Sequence, residues 1–259
     1  MAAGSGAADG VRLSAIVITR NEVDNIAACL DSVAFCDERI VVDCGSDDGT
    51  VAAASAAGAR VVVNPSWPGF GPQKNFALSL ARGEWVLSID ADERIGASLA
   101  QEIIATVTAS GSNDGFEINR LSSFLGRPMR HSGWFPDYVL RLFRRRRARF
   151  SDDLVHERVR CEGPVGRLRG VIDHHPVERL EDALRRVDSY STAGAGSLAG
   201  KRRVSFMSGI SHGLWSFLRA YVLRLGFLDG REGFLLAVAN AEGTYYRYMK
   251  AWVAGRRRE

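Results

Sequence analysis

The chain has 259 residues, 46% hydrophobic and 25% charged, with a formal net charge of +4. That balance is ordinary for a soluble globular protein and suits one large domain, or one domain with an appendage. No stretch approaches the roughly 18 uninterrupted apolar residues of a transmembrane helix, which excludes an integral α-helical span.

The first eleven residues are small and Gly/Ala-rich, expected to be disordered, with no apolar core of a secretory signal. "LSAIVIT" (13–19) predicts a buried strand, followed by a helix with Val23, Ile26, Ala27, Leu30 and Val33 at helical spacing. "ERIVVDCG" (38–45) is a second strand, "DDGTVAAASAAGA" a second helix and "RVVV" (60–63) a third strand. A Pro/Gly loop leads into the helix "QKNFALSLA", then a fourth strand, "EWVLSID" (84–90), and the helix "SLAQEIIATVTAS". This alternation predicts an α/β fold with a mostly parallel sheet flanked by helices. Such sheets bind ligands at the carboxyl ends of their strands, where Thr19, Asp43 and Asp90 all fall.

After about residue 110 the pattern changes to strands joined by turns: "GFEINRLSSFLG", "DYVLRLFRR" and "GRLRGVIDHH". From 178 onward it is helical, over 178–200, 212–227 and 231–254. The expected organisation is one domain over 12–176 that changes style near 110, and an amphipathic helical region over 177–259. Cys29, Cys36, Cys44 and Cys161 form no CxxC pair and read as reduced thiols.

Two constellations carry chemistry. In "IDADER", Asp90 and Asp92 stand at i and i+2, so in extended chain both face one ligand. Left alone at a partly buried rim they would repel; a divalent cation with a taste for hard oxygen ligands, Mg²⁺ or Mn²⁺, removes the conflict. The plainer reading is a polar surface turn. In "VVDCGSDDGT" (41–50), Asp43 ends a strand, Gly45 and Gly49 permit tight backbone geometry, and Thr50 opens a helix. Amides there can meet an oxygen-rich ligand and the acids a ribose or base, unless Asp47, Asp48 or Thr50 merely caps the helix. The turn lacks the lysine of a P-loop and the spacing of GxGxxG, which argues against an ATPase and a dinucleotide dehydrogenase.

"SAIVITRNEVDNIAACLDSV", "RIVVDCGSDDGTVAAA" and "QKNFALSLARGEWVLSIDADERI" resemble, in order and spacing, the family-2 glycosyltransferases of the GT-A (Rossmann-like) fold, over roughly residues 12–175. "DYVLRLFRR", "LVHERV", "DHHPVERLEDALRRVDSYS" and the tail "GFLDGREGFLLAVANAEGTYYRYMKAW" look most like the bacterial lipopolysaccharide inner-core glucosyltransferases. The resemblance implies that Thr19, Asn21 and Glu22 line a uracil and ribose site, that Asp43 contacts base or ribose with Ser46 and Asp48 nearby, and that Lys74 and Asn75 approach the nucleotide. It implies that Asp90 binds ribose and diphosphate-linked groups and that Asp92 ligates the metal.

An inverting transfer needs a carboxylate to take the acceptor's proton. In "SDDLVHERV" (151–159), Glu157 is the first candidate and Asp153 the second, with Asp152 also in reach. Many relatives carry Glu-Asp there, whereas this chain has His156-Glu157; His156 would orient that base, reach the metal or make a structural hydrogen bond. His174 or His175 would complete the metal site or else pack or cap, and Arg141 and Arg144 would bind the diphosphate or an anionic acceptor. In 212–228, Leu214, Phe217, Leu218, Tyr221, Val222, Leu225 and Leu228 recur at helical spacing with Arg219 and Arg224 between them. They either pack on the catalytic domain or press on an anionic inner leaflet, helped by Arg256, Arg257 and Arg258.

The expected activity is therefore metal-dependent, inverting transfer of a hexose, expected to be glucose from UDP-glucose, to an inner-core heptose of a lipid A–core acceptor. The expected location is cytoplasmic, peripheral on the inner membrane. Another lipid-linked or polysaccharide acceptor, or a non-catalytic membrane scaffold, are the alternatives. Nucleic acid is not an expected partner, because the basic runs are dispersed and the acidic rim would repel a polyanion.

Overall fold

The computed structural model describes residues 12–109, 111–151, 157–198 and 204–256. The chain forms two compact units, one comprising the residues up to Arg120 with Tyr138–His174, the other Leu121–Asp137 with His175–Glu259.

The first unit carries the sheet. Its amino-terminal part runs β1 (Leu13–Thr19), α1 (Val23–Ser32), β2 (Glu38–Asp43), α2 (Thr50–Ala56), β3 (Arg60–Val63), α3 (Phe70–Leu80) and β4 (Trp85–Ser88). The order β3-β2-β1-β4 is parallel throughout. β1, β2 and β4 are buried along nearly their whole length, the pattern of parallel strands covered on both faces, whereas β3 at the sheet edge is only partly buried. α1 buries Ile26, Cys29 and Leu30. After the short β5 (Glu93–Ile95), α4 (Ala97–Thr108) buries Leu99, Ile103 and Val107 at i, i+4 and i+8, the stripe that packs a helix on a sheet.

Beyond β4 the sheet continues without helices, as the change in sequence pattern implies. β6 (Gly115–Phe124) precedes the two-residue β7 (Arg127–Pro128), and β8 (Tyr138–Arg144) then pairs antiparallel with both β4 and β6. β9 (Ala148–Phe150) and β10 (Val159–Cys161) form a separate two-stranded ribbon. β11 (Val165–Val177) lies between β6 and β5 and pairs antiparallel with β5. The core beneath is a large cluster that includes Val17, Leu87, Ile103 and Leu142, with Ile16, Val86 and Phe143 in a smaller one.

The second unit is built from the turn after β6 and three helices: α5 (Leu180–Leu198), α6 (Phe206–Leu218) and α7 (Gly230–Arg256). A π-helical turn (Arg219–Leu223) and a 3₁₀ turn (Gly226–Asp229) join α6 to α7. Its core gathers Phe124, Met129, Val177, Ala183 and Leu236. Buried Asp229 fastens the 121–137 segment by accepting from the backbone amides of Arg130 and His131 and pairing with His131 Nδ1 at 2.8 Å. α6 opens with a capping box in which Ser205 and Ser208 satisfy each other's amides, so its first turn needs no tertiary partner.

Candidate active site

The parallel register sets Thr19 opposite Asp43, bringing the ends of β1 and β2 level. Thr19 Oγ1 donates to Asp43 Oδ2 at 3.1 Å, and Asp43 Oδ1 accepts from the amides of Gly45 and Ser46 at 2.9 and 2.8 Å. Ser46 Oγ donates to Asp43 Oδ2 at 2.5 Å and accepts from the amide of Asn21 at 2.8 Å. Gly45 and Gly49 take positive φ, as the tight turn requires, and so does Asn21 at +56°, one of the few residue types that enters the left-handed region without a large penalty. Asp48 accepts from Thr50 Oγ1 at 2.5 Å and from the Thr50 and Val23 amides, and Thr50 Oγ1 accepts from the amide of Glu22 at 2.8 Å. Those bonds, the Thr50 hydroxyl first, hold the Asp48 carboxyl below its ordinary range. The two loops following β1 and β2 are thus one interlocked surface.

The second half of the rim follows β4. After Ser88 the chain turns through Asp90 and Asp92 and enters β5 at Glu93, whose side chain is fully buried. Glu93 Oε2 accepts from the Asp90 amide at 3.0 Å, and Oε1 accepts from Arg141 Nη2 at 2.6 Å and from Arg120 Nη1 at 3.4 Å. Arg141 Nη2 also donates to Asp90 Oδ2 at 2.5 Å. On the other side of Asp90, Lys74 Nζ lies 3.0 Å from Oδ1 and donates to Glu157 Oε1 at 2.8 Å. Lys74 therefore ties the first carboxylate of the Asp-Ala-Asp turn to the glutamate from the 151–159 segment. Arg94 braces the turn from below, donating to the carbonyls of Ala91, Glu93 and Asn25.

Burial alone would raise the Asp90 carboxyl, but the charges of Arg141 and Lys74 overcome it and hold Asp90 well below the usual carboxylate range. Burial likewise opposes the Arg141 charge, and Asp90 with Glu93 more than restore it. Register places His174 opposite Glu93, so its Nε2 comes within 3.3 Å of Asp92 Oδ2. Burial pushes Asp92 up, while the hydrogen bond and charge of His174 bring it below its ordinary value. Cys29 Sγ donates to the Asp90 carbonyl at 3.4 Å, and burial raises that thiol far above its usual range, so it is a packing group.

The structure thus gathers Thr19, Asn21, Glu22, Asp43, Ser46 and Asp48 in one loop pair, and Lys74, Asp90 and Glu157 in one ion cluster. His174, not His175, meets Asp92; His175 Nδ1 pairs with Ser123 Oγ at 3.2 Å. Two expected contacts lie elsewhere. Both ends of the Asn75 amide are spent on the Phe150 backbone, at 3.0 and 2.9 Å, so Asn75 fixes β9. Arg144 sits opposite Trp85, at the amino end of β4, with its guanidinium 4.5 Å from that ring and paired to Glu84 and Asp114. Being three positions from Arg141 along a strand, it points to the other face. Asp152, Asp153 and His156 lie outside the described residues. Glu93 and Arg120 were not anticipated, and for Glu93 the one available signal was its place directly after the Asp-Ala-Asp.

Among the described residues no three His, Cys, Asp or Glu side chains group as a metal cluster. Asp92 and His174 offer two protein ligands, one hard oxygen and one imidazole, each partly exposed. That set fits a divalent cation that draws its remaining ligands from substrate phosphates and water, as Mg²⁺ sites commonly do.

Residues 14–165 match the family model described as glycosyl transferase family 2. An uncharacterized glycosyltransferase of Rickettsia typhi is 31% identical over 254 residues, covering 92% of this chain and 86% of that protein. The lipopolysaccharide core biosynthesis glycosyltransferase LpsC of Rhizobium meliloti is 31% identical over 252 residues, covering 92% of this chain and 90% of LpsC. Among solved structures, a glucosyl-3-phosphoglycerate synthase from Mycobacterium tuberculosis in complex with Mn²⁺ and UDP shares 28% identity over 44% of this chain and 45% of its own, at a TM-score of 0.37. The chain belongs to glycosyl transferase family 2, and it is a glycosyltransferase.

Proposed function

We propose that the chain transfers a hexose, glucose from UDP-glucose, with inversion onto an inner-core heptose of a lipid A–core acceptor. The observation that carries the reading is the Lys74 bridge, which holds Asp90 and Glu157 against one ammonium at 3.0 and 2.8 Å. The acceptor assignment is supported by LpsC, whose similarity spans 92% of this chain.

The residues divide the work as follows. The Thr19–Asp43–Ser46 loop pair receives the uracil and ribose, its backbone amides fixed before the ligand arrives, so little ordering remains to be done on binding. Asp90 takes the ribose or sugar hydroxyls, and Lys74 and Arg141 counter the charge of the diphosphate. Asp92 and His174 would hold a Mg²⁺ or Mn²⁺ ion, which when bound would supply Lewis-acid stabilisation of the departing diphosphate. Glu157 accepts the proton of the attacking acceptor hydroxyl, with Asp153 as the alternative base; Lys74 keeps the Glu157 side chain directed at the reacting centre.

The catalytic domain over 12–176 is served by the 177–259 helices, which we assign to the cytoplasmic face of the inner membrane. No helix among the described residues is long and apolar enough to cross a membrane. Yet Met207, Leu214, Trp215, Leu218, Val222 and Leu223 are exposed on α6 and the π-turn beside exposed Arg219 and Arg224. An apolar face edged with arginine suits an anionic leaflet. Arg256 ends α7, whereas Arg257 and Arg258 lie outside the described residues.

The test is transfer of radiolabelled glucose from UDP-glucose to purified lipid A–core truncated before its first hexose, with Mn²⁺ present. Incorporation that disappears in the acceptor lacking heptose supports the reading. Incorporation only into another lipid-linked or polysaccharide acceptor overturns the acceptor assignment, and no turnover with any UDP-sugar favours a non-catalytic scaffold.

A further inference from the structure

The second unit holds a cavity of roughly 300 Å³ that the transfer chemistry does not use. It exists because α5 and α7 face each other there with small residues, Ala183 and Ser191 against Ala239 and Gly243, which cannot fill the space between the helices. Phe124, Trp134 and Leu236 supply an apolar floor. Two cations line the same space, Arg186 and Arg247. Arg186 is exposed and makes no ion pair with a described residue; the Nε of Arg247 is buried without a hydrogen-bond partner. A buried donor left unpaired is destabilising unless something else meets it.

The glycines sharpen the point. A Cβ on Gly209, Gly213 or Gly233 would meet Met249 Cε at 2.3 Å, Tyr245 Cβ at 3.2 Å or the Gly226 carbonyl at 1.9 Å, so close packing accounts for all three. Gly194 has a similar reason: a Cβ there would lie 2.5 Å from Arg247 Cδ, so its absence lets the arginine lie across α5. Gly196, Gly243 and Gly255 have none, since a Cβ on any of them would meet nothing within 4 Å. Of these three only Gly243 lines the cavity, where the missing side chain leaves space open.

We propose that this cavity binds a single alkyl chain ending in an anionic head group, the chain on the Phe124–Trp134–Leu236 floor and the phosphate or carboxylate on Arg247 and Arg186. Its volume lies at the small end of the range for ligand pockets. Bilayer lipids and free amphiphiles share that chemistry. The inference does not depend on the donor, the acceptor or the metal.

The experiment is calorimetric titration of the full chain with decyl phosphate below its micellar concentration, beside decanol and inorganic phosphate. Decyl phosphate is expected to bind saturably, with decanol about ten- to a hundredfold weaker for want of the charge-assisted bonds. Arg247→Met should bring decyl phosphate down to the level of decanol. Gly243→Leu should fill the cavity and weaken binding by about tenfold or more, while the thermal midpoint stays level or rises. Equal affinity for decanol, equal affinity for inorganic phosphate, or undiminished binding by both variants would each overturn the proposal. Competition by phosphatidylglycerol vesicles would support it with bilayer lipid as the source; retained decyl phosphate binding without such competition would support it with a free amphiphile as the source.

Discussion

Replacing Arg141 by methionine should destabilise the first unit more than any other single loss of charge at the rim. Arg141 is 6% exposed and shares one Nη2 between Asp90 at 2.5 Å and Glu93 at 2.6 Å. Without it Asp90 still has Lys74 and partial access to water, but Glu93 is fully buried and, among the described residues, keeps the Asp90 amide and Arg120 at 3.4 Å. Breaking a buried pair typically costs about 3–5 kcal/mol, and the remaining partners reduce this to roughly 2–4 kcal/mol. At roughly 2–4 °C per kcal/mol for a chain of this size, the midpoint should fall by about 5–15 °C. Urea unfolding followed by tryptophan fluorescence reads the loss, with Arg167→Met as control. Arg167 is largely exposed, pairs with Glu117 at 2.9 Å over the exposed Tyr138 ring, and should contribute about 1 kcal/mol or less. Adding Glu93→Gln to Arg141→Met should recover part of the loss, because it removes the stranded charge. A loss within about 0.5 kcal/mol of the control, or no recovery in the double variant, would refute the reasoning.

Glu157→Gln should leave UDP binding near normal and lower turnover by about 10²–10⁴-fold, the usual contribution of a general base; a drop under tenfold in steady-state rate would pass the role to Asp153. Glu38 is opposed by burial but held below its ordinary value by Ser14 Oγ at 2.6 Å and by the Arg82 amide and guanidinium. Its folded pKa is depressed, so its contribution is complete above its unfolded value of about 4.3 and is lost as pH falls through the folded one. Glu38→Gln should therefore flatten the fall in stability between about pH 5 and 3, measured by urea midpoints; an unchanged slope would show that Glu38 is not the group titrating. Trp215→Glu should reduce sedimentation with phosphatidylglycerol vesicles without lowering the thermal midpoint, and undiminished sedimentation would place the membrane face elsewhere.

Much of the framework was legible because local signals and tertiary demands coincide. β1 spans Leu13–Thr19 as read, since a buried parallel strand must be a continuous apolar run and little else in seven residues resembles one. Thr19 and Asp43 end β1 and β2 by the same logic, whereas the fourth strand stops at Ser88 and Asp90 lies two residues beyond it. β5 was not legible: a three-residue strand inside "DADERI" looks like a polar turn, and its glutamate is satisfied by Arg141 and Arg120 from far along the chain. Arg141 and Arg144 were grouped because they share a strand, although an offset of three residues separates their faces. The grouping of 121–137 with the C-terminal helices depends on Asp229, about a hundred positions beyond the segment it fastens, and nothing local announces it.

The central claim is that the acidic rim is a metal-assisted nucleotide-sugar site. Calorimetric titration with UDP, with and without Mn²⁺, in the native chain and in Asp92→Ala, tests it most directly. Binding that tightens with Mn²⁺ in the native chain, and loses about tenfold or more of that affinity in Asp92→Ala, is the predicted result. UDP binding that is indifferent to Mn²⁺, or that survives Asp92→Ala unchanged, would contradict it.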